Sequence, residues 1–255
     1  MRKKRILHAA AAFFFVISSL GTAKAQPPFL GEQLTAEITF LNIPVAIATL
    51  QVTQETLEGD QSSYHLAITA KSTPFYSLLY PVDNRYDSFF TWPHFRTSRY
   101  ERHIREPGVD LQRVVRYQNG QAIADGEEPV SVPRDVRDLF SALYALRGQP
   151  LKENQVIDSP MDLDGQLWVV RATVLGRERV KSRRDVHIAI KVMVRFLSPK
   201  QAQRTRRASD VLTNNLVKER TKLTIWFSDD EQRIPLKAQY RFSPFFIKAV
   251  FSTTD

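Results

Sequence analysis

Not one cysteine occurs among the 255 residues. That excludes disulfides, thiolate metal ligands and cysteine nucleophiles, and with them a lipid-modified cysteine behind the N-terminal segment. Glycine is scarce too, at nine residues, and none of them sits in a phosphate-cradling loop or a dinucleotide fingerprint. No Gly-x-Ser-x-Gly and no Ser-x-x-Lys occurs, so the common serine acyl-transfer signatures are missing. The histidines beyond residue 25 are His65, His94, His103 and His187, none within helical or strand reach of another. The chain therefore points to no metal and no cofactor.

Long apolar runs are missing as well. The stretch from Ile6 to Val16 is shorter than the roughly 20 residues a membrane helix needs, and nothing later matches even that. What is present is "MRKKRILHAAAAFFFVISSLGTAKA": four basic side chains (Arg2, Lys3, Lys4, Arg5), an apolar stretch, then Ala23-Lys24-Ala25. Those are the n-region, h-region and small-x-small site of a cleaved secretory signal peptide over residues 1–25, with Gln26 as the first mature residue. The segment carries five of the 36 Lys and Arg residues and none of the 27 Asp and Glu residues. Without it 31 bases face 27 acids, so the formal charge falls from +9 to +4 and the case for a nucleic-acid partner falls with it. The expectation is a bacterial periplasmic protein with no membrane span, its residues 26–255 forming a single domain held by its core.

Alternation with period two dominates that domain. Leu34, Ala36, Ile38 and Phe40 alternate with polar neighbours, and Ala46, Ala48, Leu50 and Val52 repeat the pattern after the Asn42-Ile43-Pro44 break, which reads as a hairpin. Further strands are predicted over 64–73, 94–105, 111–117, 168–174, 186–196, 216–227 and 234–242, with "FFIKAVF" closing the sheet. Roughly ten antiparallel strands exceed the usual five or six and imply a large sheet curled into a barrel-like or spiral shape, or split into a sandwich. One segment has helical spacing instead. Val136, Leu139, Phe140, Leu143 and Leu146 share a face, Asp135 can cap the start, and Gly148 and Pro150 end it. This amphipathic helix is expected to pack against the sheet. "PFYSLLYP" can form a shorter helical turn, and the basic stretch "SPKQAQRTRRASDVLTNN" reads as a solvated loop rather than a clamp for anionic polymers.

Acid pairs are the remaining enzymatic option, because glycoside hydrolysis needs only two carboxylates held a few ångströms apart. Asp229-Asp230-Glu231, Asp135 with Asp138, and Asp162 with Asp164 are the candidates. Each also has a structural explanation as a turn or helix start. A better candidate for binding is "YPVDNRYDSFFTWPHFRTSRYERH", where aromatics and arginines interleave in a way that suits a sugar or a lipid, although aromatics also simply fill sheet cores. Arg85, Tyr86 and Trp92 are the candidate ligand contacts there, joined by Tyr144 and Arg147 on the helix, beside the concave side of the sheet.

Three motifs appear in order: "GEQLTAEITFLNIPVAIATL", "DLFSALYALRGQPL" and "IWFSDDEQRIPLKAQY". In these the chain resembles the exported bacterial proteins grouped as domain of unknown function family 3108. The resemblance implies a periplasmic location and a mostly antiparallel β architecture, and it implies no activity. Together these readings favour a non-enzymatic periplasmic protein that binds an envelope lipid, glycan or partner protein and supports envelope integrity. The alternatives are a carboxylate-dependent hydrolase acting on peptidoglycan or another envelope glycan, and a purely structural member of a larger assembly.

Overall fold

The computed structural model describes residues 27–56, 62–181, 185–198, 210–242 and 244–253. The proposed signal peptide and most of the basic stretch fall outside these residues. Among the described residues there are fourteen strands: β1 (Gln33–Phe40), β2 (Ile43–Thr56), β3 (Ser62–Ser72), β4 (Asp83–Thr91), β5 (Thr97–Glu106), β6 (Val109–Gln118), β7 (Gln121–Ala124) and β8 (Val130–Ser131), then β9 (Val156–Leu163), β10 (Gln166–Lys181), β11 (Val186–Leu197), β12 (Lys222–Ser228), β13 (Pro235–Phe242) and β14 (Phe245–Thr253). Three helices join them: α1 (Pro74–Ser77), α2 (Leu139–Ala145) and α3 (Val211–Leu216).

All the strands lie in one sheet, ordered β8-β7-β6-β5-β4-β3-β2-β1-β14-β13-β12-β11-β10-β9, and every neighbouring pair is antiparallel. The chain thus builds two meanders outward from a central junction, where β1 pairs with β14 from Leu34↔Thr253 to Phe40↔Ile247. Twist accumulates across so many strands, so the sheet curls upon itself and one face becomes an interior. Alternation decides which side chains go there: Leu66 and Ile68 of β3, Tyr86 and Phe90 of β4, Val192 and Val194 of β11, and Leu223 and Ile225 of β12 are all buried.

No ladder of hydrogen bonds joins the outermost strands β8 and β9. The gap is spliced by the segment that leads into α2. Thr97 N donates to Val136 O at 3.2 Å, Arg137 N donates to Pro160 O at 3.1 Å, and Asp162 N donates to Arg137 O at 2.8 Å. Asp138 follows, fully buried. Its Oδ1 accepts the amides of Phe140 (2.8 Å) and Ser141 (3.1 Å) and so caps α2. Its Oδ2 accepts the hydroxyls of Ser88 (2.6 Å) and Thr97 (2.8 Å), which anchors the same cap to β4 and β5. The sequence places the cap at Asp135 and the helix over 135–147. The observed start is later because Val136 and Arg137 are committed to the splice, in extended backbone pairings that a helix cannot make.

α2 crosses the interior and separates two apolar clusters. Leu139, Ala142 and Leu146 pack on β9 to β12, while Tyr144 and Ala145 face β2 to β6 together with Phe29. Beyond its end, Arg147 forms a two-pronged ion pair with Glu32 (2.6 and 2.7 Å), donates to Gln232 O at 2.8 Å, and stacks over the Phe29 and Tyr144 rings. Phe29, Trp92, Phe95 and Tyr144 complete an aromatic plug there, with ring centroids of Phe29 to the other three at 5.6 to 5.7 Å. Gly148 belongs to it for lack of room, since a Cβ would stand 2.9 Å from Phe95 Cε2. This end of the curled sheet is therefore sealed.

The expected architecture is present with more strands than the roughly ten predicted. β4 was not predicted because buried residues stand on both its faces, β7 and β8 are too short to show periodicity, and β9 carries Pro160. The segment 216–227, predicted as strand throughout, opens instead after α3, whose cap Asp210 accepts Thr213 N at 2.7 Å. Asp138→Ala would leave two helix amides and two buried hydroxyls without their acceptor. It is expected to lower stability by about 3 kcal/mol in urea unfolding, whereas Asp135→Ala, at an exposed position, should change it by under about 0.5 kcal/mol.

Candidate functional site

The interior is not filled completely. An inner chamber of about 190 Å³ lies against α2, lined by Phe140, Leu143, Tyr144 and Arg147 together with Leu223, Ile225, Ala249 and Phe251 from the sheet. An outer chamber of about 270 Å³ lies toward the opposite end, lined by Phe40, Val45, Ala70, Tyr76, Tyr80 and Tyr86. Ile38, Leu212, Tyr240 and Ile247 line both, so the two chambers share a wall and run in line along the concave face. Among the described residues neither is lined by an acid, and Arg147 is the one charged residue in the linings.

Several polar groups at these walls are held by the protein itself. Arg147 is engaged by Glu32, as is the Tyr144 hydroxyl, which donates to Glu32 Oε1 at 3.1 Å. Burial drives the Tyr144 phenol well above its ordinary pKa, and the adjacent Glu32 carboxylate adds to the rise. Burial likewise pushes Tyr240 up to about 12, and burial followed by the Asp210 carboxylate raises Tyr86 strongly. All three are neutral at physiological pH and present a ring to the space. α3 is fixed over the outer chamber by Glu106, whose Oε2 accepts Val211 N at 2.9 Å while Oε1 accepts Asn84 Nδ2 at 2.6 Å.

Of the five residues picked from sequence, Tyr86 lines the outer chamber and Tyr144 and Arg147 the inner one. Trp92 stands in the plug beside Phe29 and Phe95. Arg85 lies on the outer face of β4, half exposed, with both its Nε and Nη2 donating to Asp87 (2.7 and 2.8 Å). Burial alone would raise Asp87, but the hydrogen bonds from His65 and Arg85 outweigh it and hold its carboxyl at about 2. Sequence reasoning missed Leu212, Tyr240 and Ile247. Tyr240 and Ile247 were legible as inward positions of alternating strands, but Leu212 belongs to a short helix set in polar sequence.

The acid candidates are accounted for by structure. Asp229 pairs with Arg177 on the surface (2.6 Å). Asp230 builds the β12–β13 turn, its Oδ1 accepting Ser228 Oγ, Gln232 N and Arg233 N at 2.8 to 3.0 Å. Asp164 forms the β9–β10 turn with Gly165, both at positive φ, an Asp-Gly hairpin signal plain in the sequence. It pairs with buried Arg102 and lies 3.4 Å from Arg113. Asp162 accepts the Tyr117 hydroxyl at 3.0 Å. Among the described residues no group of three or more His, Asp or Glu is gathered as metal ligands would be, and no helix is long and apolar enough to cross a membrane.

An open antiparallel sheet curled into a barrel-like shell around an apolar interior is the class of structure these features define. The family described as "Protein of unknown function (DUF3108)" matches residues 35–244, and the chain belongs to that family. No curated protein matches it. Among solved structures it is similar to a beta-barrel-like protein of domain of unknown function DUF1849 from Brucella abortus, at TM-score 0.54 and 7% identity, covering 89% of this chain and 99% of that one. A protein with a YmcC-like fold from Bacteroides fragilis aligns at TM-score 0.35 and 10% identity over 90% of this chain and 98% of that one. The Brucella likeness shows the fold alone.

Asp162 makes the stability of the fold depend on pH. Burial first, with a contribution from Asp164, raises its pKa from 3.8 to about 6, against the opposing hydrogen bond from Tyr117. The folded chain thus keeps a proton that the unfolded chain has released, so this group makes folding less favourable as pH rises from about 4 to about 6. Asp162→Asn removes that effect. It should be more stable than the parent by roughly 1–3 kcal/mol at pH 8, with the gap closing toward pH 4, when both are unfolded in urea across that range.

Proposed function

We propose that the chain is an exported, non-enzymatic protein of the bacterial envelope that holds the hydrocarbon tail of an envelope lipid in the two chambers. The observation that carries this reading is the lining: two chambers in line, walled mostly by aliphatic and aromatic side chains, where Arg147, Tyr144, Tyr80, Asn84 and Asn215 are already bonded to protein partners. A glycan needs an extended array of donors and acceptors, and hydrolysis needs converging carboxylates; the described walls are mostly apolar and carry no acid. An apolar tail needs only surface to cover, at about 0.8 kcal/mol per methylene removed from water. The combined space falls within the range of small-ligand pockets, about 300–1,000 Å³. Periplasmic residence rests on the basic, apolar and small-x-small pattern of residues 1–25. Within this reading Tyr86, Tyr144 and Arg147 contact the tail, Trp92 closes the sealed end, and Arg85 acts on the outer face of β4.

Ala249 lines the inner chamber and pairs with Ala238 across β14 and β13. Ala249→Phe fills that space without removing a hydrogen bond. In a displacement assay with a fluorescent long-chain fatty acid, the parent protein is expected to bind and Ala249→Phe to bind at least about tenfold more weakly, or about 1.4 kcal/mol, with unchanged circular dichroism. A parent that binds no fatty acid, or a folded Ala249→Phe that binds as tightly, contradicts the reading.

A further inference from the structure

The two ends of the curled sheet are unlike. The sealed end carries the aromatic plug. The other end is where β1 turns into β2, β3 passes through α1 into β4, and β13 passes into β14; register places all three connections together, since Phe40 pairs with both Ile43 and Ile247, and Ala46 pairs with Ser72. Most of the large apolar side chains exposed among the described residues are gathered at these three places. Leu41 and Ile43 are each about half exposed, and Phe245 and Phe246 are nearly so. On α1 and the turn after it, Phe75, Leu78 and Leu79 are 68%, 83% and 73% exposed. A patch of this kind on one end marks an interaction surface.

Three observations say what it meets. First, the patch rings the outer chamber: Phe40, Val45, Tyr76, Tyr80 and Ile247, each next or close in sequence to an exposed apolar residue, line its wall. Second, Leu41 is held at φ 54°, a left-handed conformation in a turn where Asn or Gly is the ordinary choice. An exposed leucine there is unfavourable both to hydration and to backbone, so its side chain serves something beyond the turn. Third, the flanks are basic. Lys71, Arg105, Arg241 and Lys248 lie near the strand ends that carry the apolar loops, against Asp83, which bridges Lys71 at 3.3 Å, Asp110 and the buried Glu106. Lys248 donates to Asn42 Oδ1 at 3.1 Å, which sets a cation beside Leu41.

We propose that this end docks on an anionic lipid bilayer, with Phe75, Leu78 and Leu79 sunk into the boundary between headgroups and tails and the cations on the lipid phosphates. Apolar side chains ringed by Lys and Arg are what an interfacial anchor needs, because burial of the apolar set and attraction to anionic headgroups add. The mouth of the outer chamber then faces the bilayer, so a tail can pass between membrane and cavity without crossing water. This route rests on the lipid-binding reading above; the docking itself does not require it.

The experiment is sedimentation of the protein with vesicles of phosphatidylethanolamine and phosphatidylglycerol, and separately with phosphatidylcholine vesicles, for the parent and for the double variant Leu78→Glu, Leu79→Glu. Both positions are exposed, so the variant is expected to fold. The parent should sediment with the anionic vesicles and at least about tenfold less with the neutral ones, and the double variant should lose that binding while still taking up the fluorescent fatty acid from solution. A parent that stays in the supernatant, or that binds both vesicles equally, overturns the proposal. So does a parent that light scattering finds as a dimer separated by the double variant, since the patch would then face a second copy. If vesicle binding is observed and lost as described but no fatty acid is taken up by either protein, docking stands and the lipid-binding reading falls.

Discussion

The curled sheet has two free edges, and the whole interior depends on how they are brought together. Asp138 is the residue on which that closure turns. One carboxylate accepts two helix amides and two hydroxyls from β4 and β5, while the two residues before it hydrogen-bond to β5 and β9. A helix that begins at this point cannot be displaced without opening the seam, so α2 is fixed across the interior, and with it the wall of the inner chamber. Beside it, Arg102 and Arg113 of β5 and β6 reach Asp164 of the β9–β10 turn, and Tyr117 reaches Asp162. A seam built from buried polar side chains is demanding. Each member must find its partner or stay desolvated and unpaired, which specifies one closure geometry where an apolar contact would tolerate several.

Fixing α2 also makes the two ends of the shell different. Its C-terminal end delivers Tyr144 and Arg147 into the plug, where Glu32, Phe29 and the β12–β13 turn meet. The space beyond α2 has no such filling. It is bounded by side chains of β1, β13 and β14, among them Ile38, Tyr240 and Ile247, and by Leu212 of α3, and it ends among the exposed leucines and phenylalanines around α1. The asymmetry follows from the way one chain closes an open sheet: the element that splices the seam also blocks the nearer end.

Much of this shape could be read from the sequence. β1 and β3 show clean alternation because one face turns inward, and in β11 the same alternation is buried from Ile190 to Phe196 although Val186 and Ile188 stand exposed; α2 was legible from the spacing of Leu139, Phe140, Leu143 and Leu146, even though Tyr144 and Ala145 on its other side are buried too. β4 was harder: Asp87 and Phe89 on its outer face are themselves buried, by His65, Arg85 and Arg99, so its polar and apolar residues do not separate by face. The closure was not legible, since nothing in a local window shows that Val136 will pair with Thr97 or that Asp138 rather than Asp135 will cap. The candidate site was half legible. Tyr86, Tyr144 and Arg147 were singled out for chemistry that suits ligands, and the structure places them at the chamber walls, while Trp92 and Arg85 came from the same cluster and stand elsewhere. A cavity is a property of what several strands fail to fill, and no single strand's sequence carries it.

On the proposed lipid-binding reading the curled sheet holds one apolar site, filled at the Arg147 end and entered at the α1 end. The most direct measurement is a crystal structure with a long-chain fatty acid brominated at the end of its tail, the bromine located by anomalous scattering. Bromine is expected in the inner chamber, between Phe140, Leu143 and Phe251, with the carboxylate toward Tyr76 and Tyr80. Bromine on the outer face of the sheet, or at the α1 end with the carboxylate inside, would contradict it.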